Sequence, residues 1–218
     1  MNSVFVTGTD TEVGKTRISV ALVELLQQQT GRVAAMKPIA SGCELTENGL
    51  RNDDALQLSQ QSNVDLDYET LNPYAFEPAI APHLAAQQIA VEIEIDKITT
   101  CYRYIEQQAD VVVVEGAGGW LVPLNQTQTM ADLAIALDLP VILVVGIRLG
   151  CINHALLTIE AIRQSGLTIQ GWVANQIEEN PQSEQIVTTL KSRIESPCLG
   201  VIPTLGTGQA ATEFLTLS

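Results

Sequence analysis

Residues 8–16 read GTDTEVGKT, directly after the apolar run 4–6 and directly before a helical pattern over 17–29. Strand, glycine-bounded loop and helix in that order form the setting of a phosphate-binding P-loop. Its loop amides and the unpaired amides of the helix start converge on one spot, where a polyphosphate can sit. Lys15 is placed to reach the β- and γ-phosphates, and the Thr16 hydroxyl to hold Mg²⁺. The strict motif has four residues between its glycines, whereas Gly8 and Gly14 enclose five, so the loop is a variant. Gly, Thr and Asp also build ordinary strand-to-helix turns. The flanking strand and helix are what favour nucleotide binding.

Composition narrows the rest. Aliphatic residues are plentiful while aromatics make up 4%, which suits parallel strands covered on both faces by helices. The absence of a low-complexity linker predicts a single domain over 1–218. The net charge of −14 disfavours nucleic acid and anionic membranes and points to small-molecule ligands. Cationic side chains in a site therefore stand out: the lysines are Lys15, Lys37, Lys97 and Lys191, and two of them fall in the proposed site. Cys43, Cys101, Cys151 and Cys198 are widely spaced, as expected of free thiols in a reducing cytoplasm. The chain opens on a core strand with no leader pattern, and no apolar run approaches membrane-spanning length. A cytoplasmic protein is expected.

A second strand over 32–36 ends at Lys37-Pro38, and the residue before a proline favours extended backbone. Lys37 is thus expected at the same C-terminal strand edge as the P-loop, where open α/β sheets bind ligands. Ser41 and Gly42 form a polar turn beside it. Asn52-Asp53-Asp54 can cap a helix over 55–62; one acid suffices for capping, leaving the other free to face a metal. Residues 63–88 show no clean period and read as loop with short extended pieces, and a helix follows over 95–108.

The β-branched run 111–114 marks a buried strand, and Glu115 at its end is the carboxylate of a Walker B arrangement, completing a metal shell or orienting its water. Gly116, Ala117, Gly118 and Gly119 let backbone approach a ligand. A helix over 129–137, a strand over 141–146, and a helix opening at 149–154 come next. The start of that last helix, with Asn153, is a fair carboxylate site. A strand over 169–174 ends in Asn175, whose amide could pair with a purine edge. The final helix and strand cover 183–194 and 198–202. This alternation predicts a three-layer α/β/α P-loop fold on a mostly parallel sheet of about seven strands.

Taken together, GTDTEVGKT from Gly8, KPIASG from Lys37, LRNDDAL from Leu50, NPYAF from Asn72, VEGAGGW from Val114, PVILVVGIRLGCINHALLT from Pro140 and GWVAN from Gly171 resemble the dethiobiotin synthetase family, in order, over residues 1–203. The resemblance implies an ATP-dependent cyclo-ligase of biotin synthesis acting on 7,8-diaminononanoate and CO₂. One amine takes up CO₂ as a carbamate, whose oxygen attacks the γ-phosphorus of ATP. The second amine then closes the cyclic urea and releases phosphate. By resemblance Lys37 is the catalytic cation and Lys15 the P-loop lysine, while Thr16, Asp54 and Glu115 hold Mg²⁺. Glu12, Val13, Gly14, Lys15, Thr16 and Arg17 wrap the phosphates, and Gly116, Ala117 and Gly118 line the cleft. Asn175, Gln176, Thr204, Leu205 and Gly206 take the adenine. Thr11 and Ser41 face the amines and carbamate, and Gly150, Cys151 and Asn153 receive the substrate carboxylate across a homodimer.

Two positions depart from the pattern. Val187 stands where some members carry a tyrosine thought to reach the substrate carboxylate, and the tail after Pro203 is short. Two other classes share the fold: partition or division-site ATPases, and small-molecule kinases or ligases. The former carry a lysine five residues before the P-loop lysine; here that position is Asp10.

Overall fold

The computed structural model describes residues 3–205 and 209–217. The chain opens with β1 (Val4–Gly8), α1 (Lys15–Gln29), β2 (Val33–Met36) and β3 (Ile39–Ser41), then a hairpin of β4 (Glu44–Thr46) and β5 (Gly49–Arg51). It continues through α2 (Asp53–Gln61), α3 (Tyr68–Leu71), β6 (Tyr74–Phe76), α4 (Pro82–Gln88), α5 (Ile95–Glu106) and β7 (Val111–Gly119). The last part runs α6 (Met130–Leu137), β8 (Val141–Gly146), α7 (Cys151–Gln164), β9 (Ile169–Asn175), α8 (Ser183–Arg193), β10 (Cys198–Ile202) and a 3-10 turn at Ala211–Phe214.

Six strands make one parallel sheet in the order β10-β9-β8-β1-β7-β2, close to the seven expected. Its central strands are apolar on both faces, so alternate residues feed different cores. Val4 and Val6 pack with Ile18, Leu22 and Leu26 of α1. Phe5, Val112 and Val114 pack with Ile98 and Ile105 of α5 and Leu133 of α6. Trp172 and Val145 join Ala155 and Ile159 of α7 and Leu190 of α8. A sheet covered in this way needs no polar face, which is why its strands read as continuous aliphatic runs. From β1 the chain turns toward β2, and from β7 it crosses to β8 on the other side of β1. The loops after β1 and β7 therefore meet at a topological switch point, where open sheets leave a crevice.

The region expected to be mostly loop is more ordered than that. Within 63–88 lie α3, β6 and α4, and β6 pairs in parallel with β3 through Ala40↔Ala75. Tyr74 and Phe76 are buried and their rings stack at 6.3 Å. Strands of three residues are too short to show a period, so only the partner strand reveals them. The β4–β5 hairpin turns at Gly49 with φ 95°. The tail returns to the sheet edge: Thr216 N donates to Leu199 O and Gly200 bridges Leu215.

Candidate functional site

The helix of the P-loop starts at Lys15, two residues earlier than expected. Backbone at Glu12 (φ 59°) and Gly14 (φ 87°) is left-handed, which curls the chain tightly between β1 and α1. The first helical bond runs from Ile18 N to Gly14 O, so the amides of Lys15, Thr16 and Arg17 lack intrahelical acceptors and are disposed toward an anion. The Lys15 ammonium donates to Asp10 O at 2.9 Å, folded back over its own loop. Asp10 is itself tied down, its carboxylate accepting from Thr11 N and pairing with Arg148 just after β8.

Lys37 leaves the end of β2 and enters the same crevice. Its backbone is fixed on both sides, with Lys37 N donating to Leu71 O at 3.0 Å and Asn72 Nδ2 donating to Lys37 O at 2.6 Å. Its ammonium lies 2.5 Å from Glu115 Oε1 and 3.2 Å from Asp54 Oδ2. Thr16 Oγ1 donates to the same Glu115 oxygen at 2.9 Å. Lys37 is 4% exposed and Glu115 0%, so this is a buried charge cluster in which each member needs the others.

Glu115 departs from its expected place. The strand does not stop at Val114; β7 runs on to Gly119, pairing Glu115 with Val6 and Gly119 with Gly8. The carboxylate therefore emerges from inside the sheet. The glycines permit the extension: a Cβ on Gly116 would crowd the Phe5 ring at 3.1 Å. Capping of α2 also differs from expectation. Asn52, not an acid, is the N-cap, its side chain accepting from Ala55 N at 3.2 Å. Asp54 is thereby free to turn toward Lys37, while Asp53 points to solvent.

The charges act on one another. Burial pulls the Lys15 ammonium down from 10.5 to about 8, and the neighbouring Lys37 charge adds to this against the pull of Glu115, Asp54 and Asp10. For Lys37, burial also works downward, but Glu115 and Asp54 outweigh it and the net shift is upward. Asp54 is held below the ordinary carboxylate range: Lys37, a hydrogen bond from Thr16 and one from Lys37 overcome its burial.

These groups line a cleft of about 660 Å³. Of the predicted residues, Thr11, Glu12, Gly14, Lys15, Thr16, Lys37, Ser41, Asp54, Glu115, Ala117 and Gly118 all face it. Val13 lies beneath, buried against Gly8 and Gly146, and Gly116 is within β7. Asn175 is buried under the loop, donating from Nδ2 to Val13 O at 2.8 Å. Its Oδ1 has no partner among the described residues. Gln176 continues from it, hydrogen-bonded through its backbone to Ile202 O. Arg17 is exposed on α1, and Thr204 and Leu205 follow β10; Gly206 lies outside the described residues. Gly150 (φ 90°), Cys151 and Asn153 stand at the start of α7 and do not line the cleft. Val187 is packed into the α7–α8 core.

Residues that sequence reasoning passed over complete the walls: Asn52, Ile39, Ala79, Ile80, Pro82 and Val122. Pro82 at the first turn of α4 was the one legible sign that a helix begins there. The Ser41 hydroxyl is buried in the wall without a partner among the described residues.

The donors fit a small hard cation. Thr16, Asp54 and Glu115 offer a hydroxyl and two carboxylates, all oxygen, and Glu115 Oε2 is buried with no partner among the described residues. An oxygen set this sparse suits Mg²⁺, which keeps waters and takes phosphate oxygens to complete its shell.

A family model described as an AAA domain matches residues 2–212. An ATP-dependent dethiobiotin synthetase of Cellvibrio japonicus is 50% identical over 207 residues, covering 94% of this chain and 91% of its own. The same-named protein of Pseudomonas aeruginosa is 51% identical over the same shares, and that of Xanthomonas oryzae is 48% identical over 96% and 94%. Among solved structures, the MinC:MinD cell division complex of Aquifex aeolicus superposes with a TM-score of 0.57 at 17% identity, over 94% of this chain and 82% of that one. Cell division protein FtsY of Thermotoga maritima gives 0.52 at 12% identity; this chain spans 65% of its length. At such identities the likeness is one of fold alone. Half of its residues shared along nearly its whole length is a far stronger bond, and by it the chain belongs to the ATP-dependent dethiobiotin synthetase family.

Proposed function

We propose that the protein carboxylates 7,8-diaminononanoate with CO₂ and closes the product to a cyclic urea at the expense of ATP, as a dethiobiotin synthase. The observation that carries the reading is the meeting of Lys15, Lys37, Thr16, Asp54 and Glu115 at one cleft beside a P-loop. Charge in this reaction gathers between the carbamate and the transferring phosphoryl group, so catalysis consists chiefly of alignment and fixed positive charge. Lys15, released from Asp10 O, neutralises the β- and γ-phosphates, and Lys37 stabilises the carbamate oxygen as it attacks. The unpartnered Ser41 hydroxyl and Thr11 orient the amines. Thr16, Asp54 and Glu115 would hold Mg²⁺, which when bound neutralises phosphate oxygens. Asn175 Oδ1 and Gln176 serve the adenine. The direct test is to supply protein, Mg-ATP, bicarbonate and the diamine and assay the cyclic urea by mass spectrometry. ATP turnover that proceeds equally fast without the diamine would refute the reading.

The α7 start lies outside the cleft, and Leu149 before it is 96% exposed. A second copy of the chain brings Gly150, Cys151 and Asn153 to the substrate carboxylate, so the active form is a homodimer. A dilution series that reaches monomer should lose activity; full activity in the monomer would contradict shared sites. The acidic balance disfavours nucleic acid and membrane partners and agrees with a cytoplasmic enzyme. No helix among the described residues is long and apolar enough to cross a membrane.

Two further results are expected. Asp54→Asn should shift the Mg²⁺ titration of activity to higher concentration while the fold survives, because Asn52 and not Asp54 caps α2. An unchanged titration would remove Asp54 from the metal set. Nucleotide binding should also take up a proton above pH 8. Lys15 is largely neutral in the empty site above about 8, and a bound polyphosphate restores its charge; below that pH both states are protonated and no uptake occurs. Calorimetry at pH 9 in two buffers of different ionisation enthalpy measures this, and absence of uptake there would contradict the assignment.

A further inference from the structure

The Lys37 ammonium lies between the two carboxylates that the proposed metal needs, on Glu115 Oε1 and Asp54 Oδ2, while Glu115 Oε2 has no partner among the described residues. The ammonium sits 2.5 Å from Glu115 Oε1 and 3.2 Å from Asp54 Oδ2, and Thr16 donates to that same Glu115 oxygen. Mg²⁺ ligated directly by these side chains would sit about 2.0–2.1 Å from their oxygens. An ammonium cannot share the same lone pairs, and two cations so close in a buried site repel strongly. Without any cation, Glu115 would be a fully buried charge with no counter-ion, a condition that costs several kcal/mol. A positive group beside Glu115 is therefore favoured at all times, and a metal held by both carboxylates competes with the ammonium for that place.

We infer that Lys37 is a built-in substitute for the divalent cation: it holds Glu115 and Asp54 in the metal-free protein, and metal binding displaces it toward the substrate space of the cleft. The inference rests on Thr16, Asp54 and Glu115 being the metal ligands. Its consequence is an order of events. While the site is metal-free, the ammonium that should meet the carbamate is bound to carboxylates. Loading the metal releases it, so the catalytic cation becomes available only when phosphoryl transfer can proceed. The geometry around the lysine supports a pivot and not a backbone shift. Its main chain is clamped by Leu71 O and Asn72 Nδ2, while the cleft continues past the side chain along Ser41, Ala79 and Pro82.

Mn²⁺ alone is the probe, its free fraction read by electron paramagnetic resonance on the nucleotide-free full chain. Removing a competitor that occupies the site in about nine molecules of ten should tighten apparent affinity about tenfold. Lys37→Met is therefore expected to bind Mn²⁺ about tenfold more tightly than the unaltered protein, and Glu115→Gln to lose the site. Equal or weaker affinity in folded Lys37→Met, with binding still lost in Glu115→Gln, would overturn the substitution while leaving the metal ligands in place. Mn²⁺ binding indifferent to Glu115→Gln would overturn both.

Because Lys37→Met leaves Glu115 unpaired and can fail to fold, a second measurement uses the unaltered protein. Its four lysines make the ¹⁵N ammonium spectrum assignable. Titration with Mg²⁺ should shift or broaden the Lys37 signal and leave Lys97 and Lys191 unmoved. A Lys37 signal constant through Mg²⁺ saturation would overturn the inference.

Discussion

Lys37→Ala is expected to lower turnover by about 10² to 10³, the cost of losing one preorganised charge donor at a developing oxyanion. That corresponds to about 2.7–4 kcal/mol of transition-state stabilisation. On the proposed assignment, in which Lys15 and the loop amides take the phosphates, the effect is expected in turnover more than in KM for ATP. The clamp on the Lys37 backbone by Asn72 and Leu71 is a property of the main chain, so the fold around it should persist. Steady-state kinetics with the diamine as varied substrate would check this, and a loss below about threefold would remove Lys37 from the chemistry.

Gly14→Ala is expected to weaken ATP binding by about a hundredfold. Two costs combine at this position. The backbone at φ 87° is strained for any residue with a Cβ, and an added Cβ would lie 2.2 Å from Asn175 Nδ2. Strain of this kind costs of order 1–3 kcal/mol, and the clash cannot be relieved cheaply because that nitrogen is bonded to Val13 O. The loop must then open, and its amides lose the arrangement that receives the phosphates. The rest of the sheet does not depend on this residue, so the melting temperature should change far less than the affinity. Calorimetric titration with ATP measures the first and thermal unfolding the second. Affinity within threefold of the unaltered protein would show that the loop tolerates the Cβ.

The fold was legible where the sequence repeats a simple physical signal. Buried parallel strands must be apolar on both faces, so β1, β7 and β8 stand out as aliphatic runs, and the P-loop fixes which end of the sheet carries ligands. Lys37 could be placed from its proline neighbour and from the scarcity of lysine. What the sequence hid depends on partners far away in the chain. β3 and β6 are short strands that exist because they pair with each other. The interior position of Glu115 follows from the pairing of Gly119 with Gly8, which no local pattern records. Asn52, Asp53 and Asp54 could all cap a helix; only the observed bond to Asn52 leaves Asp54 for the site. Asn175 was read for the base edge, yet one half of its amide is committed to supporting Val13. The Asp10–Arg148 pair joins two loops 138 residues apart, and neither side chain announces the other.

The central claim is that a carbamate oxygen attacks the terminal phosphorus of ATP inside this cleft. That oxygen must leave with phosphate when the second amine closes the ring, because the bond broken lies between the carbonyl carbon and it. With ¹⁸O-labelled bicarbonate, assayed faster than label exchanges with water, the account predicts one labelled oxygen in each phosphate released. Unlabelled phosphate formed alongside the cyclic urea would contradict it.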